Sequence, residues 1–323
     1  MSQENSPSQA VLEELAAIPG LRYEVGAPLA PYTTLQIGGP ASALATVGSE
    51  EALVAVVGLA RRFEVSLQLL GLGSNVLIPD EGLQGIVLRL DGDFKRIQVH
   101  GDQVHAGAAV PLGQLARKMS ARGLCGLEPL SGFPSTVGGA VFMNAGCYGT
   151  EISDLLETVG IVDARGCRRR LLLADLGAGY RSTRLQQSGD FVVDAVLRLR
   201  PGSSDRALRR IAELNRRRRS SMPTLANAGS IFRNPEGGYA GRLIEGAGLK
   251  GAQIGRAQIS SQHANVIVNL GGASAGEVME LLVLMHRRVR ETSGVELEPE
   301  IVLTGSLRAA WYSSVDGSSV DSL

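Results

Sequence analysis

Residues 131–146 read SGFPSTVGGAVFMNAG, a stretch without a charged side chain. Its glycines allow a ligand to approach the backbone closely, and Pro134 restricts the loop. Thr136 and Asn144 place polar groups in otherwise apolar surroundings. A long uncharged loop of this kind fits around a large, flat, partly apolar cofactor. A glycine-rich structural crossover would have the same composition, so the stretch alone leaves both interpretations open.

A second glycine-rich segment, GLGSN at residues 71–75, directly follows the apolar run at residues 65–70, which we predict to be a buried strand. Successive backbone amides in such a loop can point one way and bind phosphate oxygens. A tight turn after a strand needs the same residues, so the alternative stays open. The segment is neither a Rossmann fingerprint nor a Walker loop, because it lacks the third glycine and the Lys-Ser/Thr pair.

Two further segments place polar side chains beside apolar ones. Ser230 lies between a glycine and two apolar residues in the segment NAGSIFRNP, residues 227–235. Glu300 lies at the start of a predicted apolar strand in the segment ELEPEIVL, residues 296–303. Ser230 has no general base nearby in the sequence, so a Ser-His-Asp hydrolase is not indicated, but its hydroxyl can donate a proton. An ordinary turn serine and a solvated glutamate at a strand end are the structural alternatives.

The composition excludes several functional classes. The chain has 32 basic residues (Lys and Arg) and 32 acidic residues (Asp and Glu). It therefore has no net charge that would favour binding to nucleic acid or to an anionic membrane. The arginine run at residues 216–219 is interpreted mainly as a solvated helix end, and contact of one or two of these arginines with a substrate phosphate is the alternative. The three cysteines and four histidines show no metal-ligand spacing. The N-terminus does not resemble a signal peptide, and no apolar run approaches about 20 residues, so we expect a cytoplasmic protein without membrane insertion.

Strand, helix and hairpin patterns alternate along the chain, which predicts an α+β fold. Capping residues and periodicity predict helices that open at Ser49, follow Pro111, and cover residues 205–219, 240–247 and 274–292. Gly101-Asp102 predicts a β-hairpin, and residues 126–149 are expected to form an extended loop. We predict an N-terminal arm over residues 1–30, a domain boundary at residues 201–204 and a disordered serine-rich tail over residues 308–323.

Eight segments between Tyr32 and Gly305 resemble, in order and spacing, the UDP-N-acetylenolpyruvoylglucosamine reductase family, also called the UDP-N-acetylmuramate dehydrogenases. The segments are YTTLQIGGPA, GLGSNVLIPDEGLQGIV, GLEPLSGFPSTVGGAVFMNAGCYGTEI, YRSTRL, NAGSIFRNP, LIEGAGLKG, SSQHANVIVN and GVELEPEI. The uninterrupted course from YRSTRL to the strand at Phe191 resembles the shorter subtype of the family.

The resemblance implies an FAD-binding domain of the vanillyl-alcohol-oxidase type, in two subdomains, over residues 31–200. An α+β substrate-binding domain would follow over residues 205–307. The two glycine-rich loops would hold FAD, without a covalent link because Ser74-Asn75 stand where covalent relatives often carry histidine. The residues implied in FAD binding are Gly71, Leu72, Gly73, Ser74, Asn75, Ser131, Gly132, Pro134, Ser135, Thr136, Gly138, Gly139 and Asn144.

The resemblance also implies NADPH-dependent reduction of UDP-N-acetylglucosamine enolpyruvate to UDP-N-acetylmuramate in peptidoglycan precursor synthesis. Ser230 matches the proton donor, and Arg181 matches the cation that binds the substrate carboxylate. Glu300 would stabilise the enediolate, with a raised pKa because a second carboxylate lies beside it. The implied substrate contacts are Tyr180, Arg181, Arg233 and Asn234. We expect a monomer without a metal or a nucleic-acid partner.

Two positions depart from the family pattern. Ser135 stands where the family commonly has glycine, and Arg233 stands where it usually has lysine. Arg233 keeps the charge but presents a fork instead of a point donor. The rival interpretations are a related flavoenzyme that oxidises a sugar lactone or 2-hydroxy acid, and a flavin-free protein that only binds a UDP-sugar.

Overall fold

The computed structural model describes residues 7–315. Within them the α-helices are α1 Gln9–Ala17, α2 Glu50–Arg62, α3 Leu112–Ala121, α4 Val137–Phe142, α5 Leu185–Ser188, α6 Ser204–Ser221, α7 Ala240–Gly246, α8 Ala275–Ser293 and α9 Ser306–Val315. The strands are β1 Arg22–Val25, β2 Ala41–Val47, β3 Leu67–Leu69, β4 Val76–Leu77, β5 Leu83–Leu90, β6 Ile97–His100, β7 Gln103–Gly107, β8 Leu124–Cys125, β9 Gly146–Cys147, β10 Thr150–Glu151, β11 Leu156–Val162, β12 Arg168–Leu172, β13 Phe191–Arg198, β14 Arg200–Pro201, β15 Ala226–Asn227, β16 Gln253–Ile254, β17 Ala257–Ile259, β18 Ile267–Asn269 and β19 Val302–Leu303.

These elements form two compact units that interleave along the chain. Unit 1 contains the described residues up to 25, then 42–72 and 84–220, and unit 2 contains residues 26–41, 73–83 and those from 221 onward. Helix α6 therefore belongs to unit 1 almost to its end, although the domain boundary predicted at residues 201–204 precedes it. The units are defined by packing alone. Binding of FAD by the predicted domain at residues 31–200, and of substrate by the one at residues 205–307, therefore stays a prediction.

Unit 1 begins with a four-stranded sheet in the order β1-β2-β5-β3. Helices α1 and α2 pack with it around a core that includes Val11, Leu15, Leu53 and Ile86. Ser49 caps α2 as predicted, since its side chain accepts a hydrogen bond from the backbone N–H of Ala52 at 3.2 Å. Residues 9–25 of the predicted N-terminal arm are thus packed into the sheet and its core, whereas residues 26–30 belong to unit 2.

The second sheet of unit 1 has the order β12-β11-β13-β7-β6, and all of its neighbouring strands are antiparallel. The predicted hairpin at Gly101-Asp102 is confirmed, because it joins β6 to β7. Helix α3 follows Pro111 as predicted and contributes Leu112, Leu115 and Met119 to the core of this half of the unit.

The expectation of an extended loop over residues 126–149 is wrong at residues 137–142, which form α4. Thr136 caps this short helix by accepting a hydrogen bond from the N–H of Gly139 at 3.1 Å. Val137, Ala140 and Val141 are buried in the core. Burial of this apolar face stabilises a helix that its two glycines disfavour.

Unit 2 is built around an antiparallel sheet in the order β15-β18-β17-β16 and a parallel pair of β4 with β19. The predicted long helix is confirmed as α8, with Ser274 and Glu277 in a capping box. Asp80 adds to this cap, because its carboxylate accepts hydrogen bonds from the N–H groups of Ala275 at 2.8 Å and Gly276 at 3.1 Å.

The predicted disordered tail is wrong for residues 308–315, which belong to α9. Leu307 and Trp311 of this helix are buried in the core of unit 2. The prediction relied on the serine-rich composition and overlooked Leu307 and Trp311, two apolar residues that lie four positions apart and therefore on one helix face. Residues 316–323 lie outside the described part of the chain.

Candidate functional site

Gly71, the first residue of one glycine-rich loop, lies beside Thr136 of the other, and both residues belong to unit 1. A side-chain carbon added at Gly71 would lie 3.3 Å from the Thr136 Oγ1 atom. Segments that are more than 60 residues apart in sequence therefore meet, as the predicted joint role in cofactor binding requires. Leu72, next to Gly71, is exposed.

The loop at residues 71–75 leaves backbone donors available to a ligand. Within residues 7–315, no acceptor is found for the N–H groups of residues 72–75. Gly73 has a φ of +60°, and a Cβ atom there would lie 2.1 Å from the carbonyl oxygen of Tyr32, so only glycine fits. The Asn75 side chain donates a hydrogen bond to the carbonyl of Glu300 at 3.0 Å and is therefore engaged within unit 2.

The second loop is anchored at both ends, and its centre is more exposed. The Ser131 hydroxyl donates to the carbonyl of Glu128 at 2.8 Å, and a Cβ atom at Gly132 would lie 2.7 Å from Asn215 Oδ1. At the other end, the N–H of Gly138 donates to the carbonyl of Ala108 at 2.9 Å. Pro134, between these anchors, is exposed.

Ser135, the first departure from the family pattern, bonds to the loop itself. Its hydroxyl donates to the carbonyl of Thr136 at 2.9 Å. A Cβ atom at Gly139 would lie 3.3 Å from Ser135 Oγ and 3.4 Å from Thr136 Oγ1, so these hydroxyls surround Gly139. The additional side chain thus has a local hydrogen-bond partner.

Asn144 has a structural task in unit 1. Its side-chain amide donates to Glu151 at 2.8 Å and to the carbonyl of Gly179 at 2.9 Å, and its oxygen accepts from the N–H of Ser153 at 3.2 Å. These bonds tie the loop to the turn at residues 179–182. The predicted contact of Asn144 with the cofactor stays a prediction.

Tyr180 and Arg181 are the central residues of a turn closed by hydrogen bonds between Gly179 and Ser182. Tyr180 is 47% exposed, and the Arg181 guanidinium carbon lies 4.9 Å from the centre of its ring. Arg181 also donates to the carbonyl of Gly146 at 2.8 Å. These contacts orient the guanidinium group.

The backbone around this turn has unusual conformations. Of the five non-glycine residues with positive φ in the described chain, Asn144, Tyr148 and Arg181 belong to this part of unit 1. Such conformations cost about 1–3 kcal/mol each and are concentrated at functional sites. The strain supports a functional role for the turn that holds Arg181.

Cys147, in strand β9 next to Gly146, is not an activated nucleophile. Burial raises the pKa of its thiol, although the positive charges of Arg218, Arg181 and Arg217 act in the opposite direction. A thiol with a raised pKa stays protonated near neutral pH and is a weak nucleophile.

The segments that carry Ser230 and Glu300 are joined by backbone hydrogen bonds in unit 2. The N–H of Glu300 donates to the carbonyl of Ile231, the residue after Ser230, at 2.8 Å. Gly229, with a φ of +74°, turns the chain just before the serine. No partner is found for the Ser230 hydroxyl within residues 7–315. The serine is therefore fixed by its neighbours, while its own side chain is available to a ligand.

Asn265 is a residue of this site that sequence reasoning missed. It is 3% exposed, its oxygen accepts from the N–H of Phe232 at 2.9 Å, and its amide donates to the carbonyl of Phe232 at 2.8 Å. The Asn265 side chain thus binds both backbone polar groups of Phe232, which follows Ser230 by two residues. The available signal was a polar residue within the apolar end of the segment SSQHANVIVN.

Arg233 and Asn234 follow the serine on the same segment. The N–H of Arg233 donates to the carbonyl of Glu298 at 2.9 Å, and its guanidinium lies 3.9 Å from the Glu298 carboxylate. Asn234 is exposed, and its side-chain oxygen accepts from the N–H of Ala240 at 3.1 Å at the start of α7. Both lie close in sequence to Ser230, as a substrate-binding segment requires.

Comparison with known proteins supplies the family. Residues 221–304 match the model described as UDP-N-acetylenolpyruvoylglucosamine reductase, C-terminal domain, and residues 41–171 match an FAD binding domain. A UDP-N-acetylenolpyruvoylglucosamine reductase of Symbiobacterium thermophilum is 42% identical over 93% of this chain and 97% of its own length. The chain belongs to the UDP-N-acetylenolpyruvoylglucosamine reductase family.

Two further relatives agree with this assignment. The Bacillus subtilis reductase is 36% identical over 93% of this chain and 100% of its own length. The crystal structure of the reductase from Thermus caldophilus is 40% identical, covers 88% of this chain and 99% of that one, and superposes with a TM-score of 0.76. The predicted family and the α+β fold with an FAD-binding domain are confirmed, and the chain is an FAD-dependent oxidoreductase.

Two further properties concern residues 7–315, which are metal binding and membrane insertion. No group of three or more His, Cys, Asp or Glu residues is placed to hold a metal ion. None of the helices there combines the length and the apolar character needed to cross a membrane.

Proposed function

We propose that the protein reduces UDP-N-acetylglucosamine enolpyruvate to UDP-N-acetylmuramate in peptidoglycan precursor synthesis, with NADPH as hydride donor and non-covalent FAD. The observation that carries the proposal is the hydrogen bond from Glu300 N to Ile231 O, which joins the backbone of Glu300 to the residue that follows Ser230. A proton donor beside a carboxyl group fits a reaction that builds charge next to a substrate carboxylate and then protonates carbon.

When bound, FAD would supply the hydride chemistry between NADPH and the terminal vinyl carbon of the substrate. The chain has to hold the flavin and its diphosphate. The adjacent loops around Gly71 and Thr136, with the available N–H groups of residues 72–75, fit that task. Ser74 and Asn75 stand in this loop without a histidine, which supports non-covalent binding.

Ser230 donates the proton to the substrate carbon that bears the ether oxygen. A serine hydroxyl is a poor acid in water, so this step requires fixed geometry and exclusion of water. The fully buried Ile231 and Phe232 that follow the serine support the first requirement, because they fix the chain next to it.

Arg181 binds the substrate carboxylate and stabilises the negative charge that builds up there. Glu300 stabilises the same charge while it holds or shares a proton, which requires a raised pKa. Tyr180, Arg233 and Asn234 bind other parts of the UDP-sugar. The arginine at residue 233 can form two parallel hydrogen bonds, unlike the lysine that is usual in the family.

Product analysis tests the substrate and the cofactor separately. Incubation with NADPH and UDP-N-acetylglucosamine enolpyruvate should yield UDP-N-acetylmuramate by mass spectrometry, in amounts equal to the NADPH consumed. Acid precipitation should release the flavin into the supernatant, and a parallel reaction with NADH measures the preference for NADPH. NADPH consumption without the product would exclude this substrate, and flavin retained in the precipitate would exclude non-covalent binding.

We further propose a monomer that acts in the cytoplasm without a nucleic-acid partner. The equal numbers of acidic and basic residues support the last point, because nucleic-acid binding is driven largely by net positive charge. Light scattering of the holoenzyme measures the mass, and a dimer mass would contradict the monomer.

A further inference from the structure

Helix α9 follows the segment that the family's C-terminal domain model matches, which ends at residue 304. The helix packs against α8 within unit 2. Trp311 is 5% exposed, whereas the next residue, Tyr312, is 52% exposed. One face of α9 therefore belongs to the core of unit 2, and nothing in the proposed reaction uses it.

Trp311 contacts the segment that carries Ser230. Its ring lies 6.0 Å, centre to centre, from the ring of Phe232, which is fully buried and follows Ser230 by two residues. A single antiparallel bridge also pairs Phe232 with Pro299, the neighbour of Glu300. With the backbone of Phe232 held by Asn265, its ring packs against Trp311.

Trp311 also contacts the segment that carries Glu300, through His286. The imidazole of His286 meets the indole ring edge-on, with centres 5.3 Å apart and planes at 83°. Its Nδ1 atom hydrogen-bonds to the carbonyl of Leu297 at 3.1 Å, so Nδ1 carries the proton in that bond. Leu297 is buried and precedes Glu300 by three residues.

We infer that Trp311 is a positioning residue for the reaction, which sets the placement of Ser230 relative to Glu300 by packing against Phe232 and His286. The inference rests on the proposed roles of these two residues. Buried aromatic rings hold their neighbours at fixed distances, and a smaller side chain leaves a cavity into which they relax. A displacement of about 1 Å can slow a reaction about 10²-fold.

The rival explanation is that α9 only adds buried apolar area, in which case every property would decline together. The variants Trp311→Leu and Trp311→Phe distinguish the two, with Tyr312→Ala as the control on the exposed face of the same helix. Each holoenzyme is mixed anaerobically with NADPH to measure flavin reduction, and then with the enolpyruvyl substrate to measure reoxidation. Circular dichroism and the fluorescence of Trp311, the only tryptophan of the chain, check the fold of the wild type and the control.

Trp311→Leu should slow reoxidation about tenfold or more while flavin reduction and substrate affinity stay within about twofold. Reoxidation in D₂O should be slowed more in this variant than in the wild type, because proton delivery from Ser230 becomes limiting. Trp311→Phe should recover most of the rate, and Tyr312→Ala should match the wild type.

Unchanged reoxidation in Trp311→Leu, or an equal decline of both half-reactions, would overturn the inference. If Trp311→Leu does not fold, His286→Asn is judged by the same criterion, and unchanged reoxidation in that variant would overturn the inference as well. Failure of the wild type to be reoxidised by the substrate would instead contradict the proposed function.

Discussion

Ser230 combines an available hydroxyl with a rigid surrounding backbone. Gly229 turns the chain before it, and the fully buried Ile231 and Phe232 hold the chain after it. Hydrogen bonds from Glu300 and Asn265 fix these two residues in turn. The Ser230 hydroxyl is therefore a weak acid held by a rigid backbone, and a fixed position is the condition under which a serine can deliver a proton to carbon.

Ser230→Ala should retain FAD and its reduction by NADPH but lose about 10²–10⁴-fold in substrate turnover, the usual magnitude for a general acid. Rapid-mixing absorbance measures the two half-reactions separately. Ser220→Ala, on the exposed end of α6, serves as a serine control. Near-normal turnover in Ser230→Ala would remove the serine from the role of proton donor.

Arg181→Lys should keep the flavin and its reduction and slow the second half-reaction by about 10- to 100-fold. The positive charge remains, but the forked contact and the stacking on Tyr180 are lost. Arg184→Lys, an exposed arginine paired with Asp190, is the matched control. Loss of FAD from Arg181→Lys would instead indicate that the arginine is structural.

Several elements could be predicted from the sequence because local chemistry determined them. Ser49 and Ser274 marked helix starts, and Gly101-Asp102 marked a hairpin, because caps and turns depend on neighbouring residues. Helices α4 and α9 were missed, since their stability comes from burial against distant segments that composition does not reveal.

The glycine-rich loops allow a test of cofactor contact that leaves the fold unchanged. A Cβ atom at Gly71 would meet only the Thr136 side chain, with its nearest atom at 3.3 Å, so Gly71→Ala should fold with a small shift of that side chain. If FAD lies against this backbone, the added carbon overpacks the site by about 1–3 kcal/mol and weakens FAD binding by about 5- to 150-fold. Titration of apoprotein with FAD measures the effect.

Gly58→Ala is the control for that titration. Gly58 lies in the middle of α2 with no foreign atom within 4 Å of an added Cβ atom, so alanine should leave FAD affinity unchanged and raise the unfolding temperature slightly. Equal FAD affinity in Gly71→Ala and Gly58→Ala would exclude close contact between FAD and Gly71.

Asn265→Ala should destabilise unit 2 and slow the second half-reaction. The substitution leaves the buried N–H and carbonyl of Phe232 without partners, which costs about 1–3 kcal/mol for each group. The free energy of unfolding should therefore fall by about 2–6 kcal/mol. Chemical denaturation measures the loss, with the exposed Gln253→Ala of the same sheet as control. A loss equal to that of the control would refute the assigned role of Asn265.

At the scale of the whole molecule, the sequence revealed the family and the order of the functional segments but not their grouping. Residues 26–41 and 73–83 pack with unit 2, although the segments around them in the sequence belong to unit 1. Such short segments have no core of their own, so only tertiary packing shows where they belong. For the same reason Ser230 and Glu300 were predicted from their motifs, while Asn265 and Trp311, which support them, were not.

In the proposed reaction one flavin is reduced by NADPH and reoxidised by the enolpyruvyl ether of a UDP-sugar. The most direct test is the absorbance of the purified holoenzyme under anaerobic conditions. Addition of NADPH should bleach the flavin, and addition of UDP-N-acetylglucosamine enolpyruvate should restore its colour. Bleaching without recovery would contradict the account, because the flavin would then have a different electron acceptor.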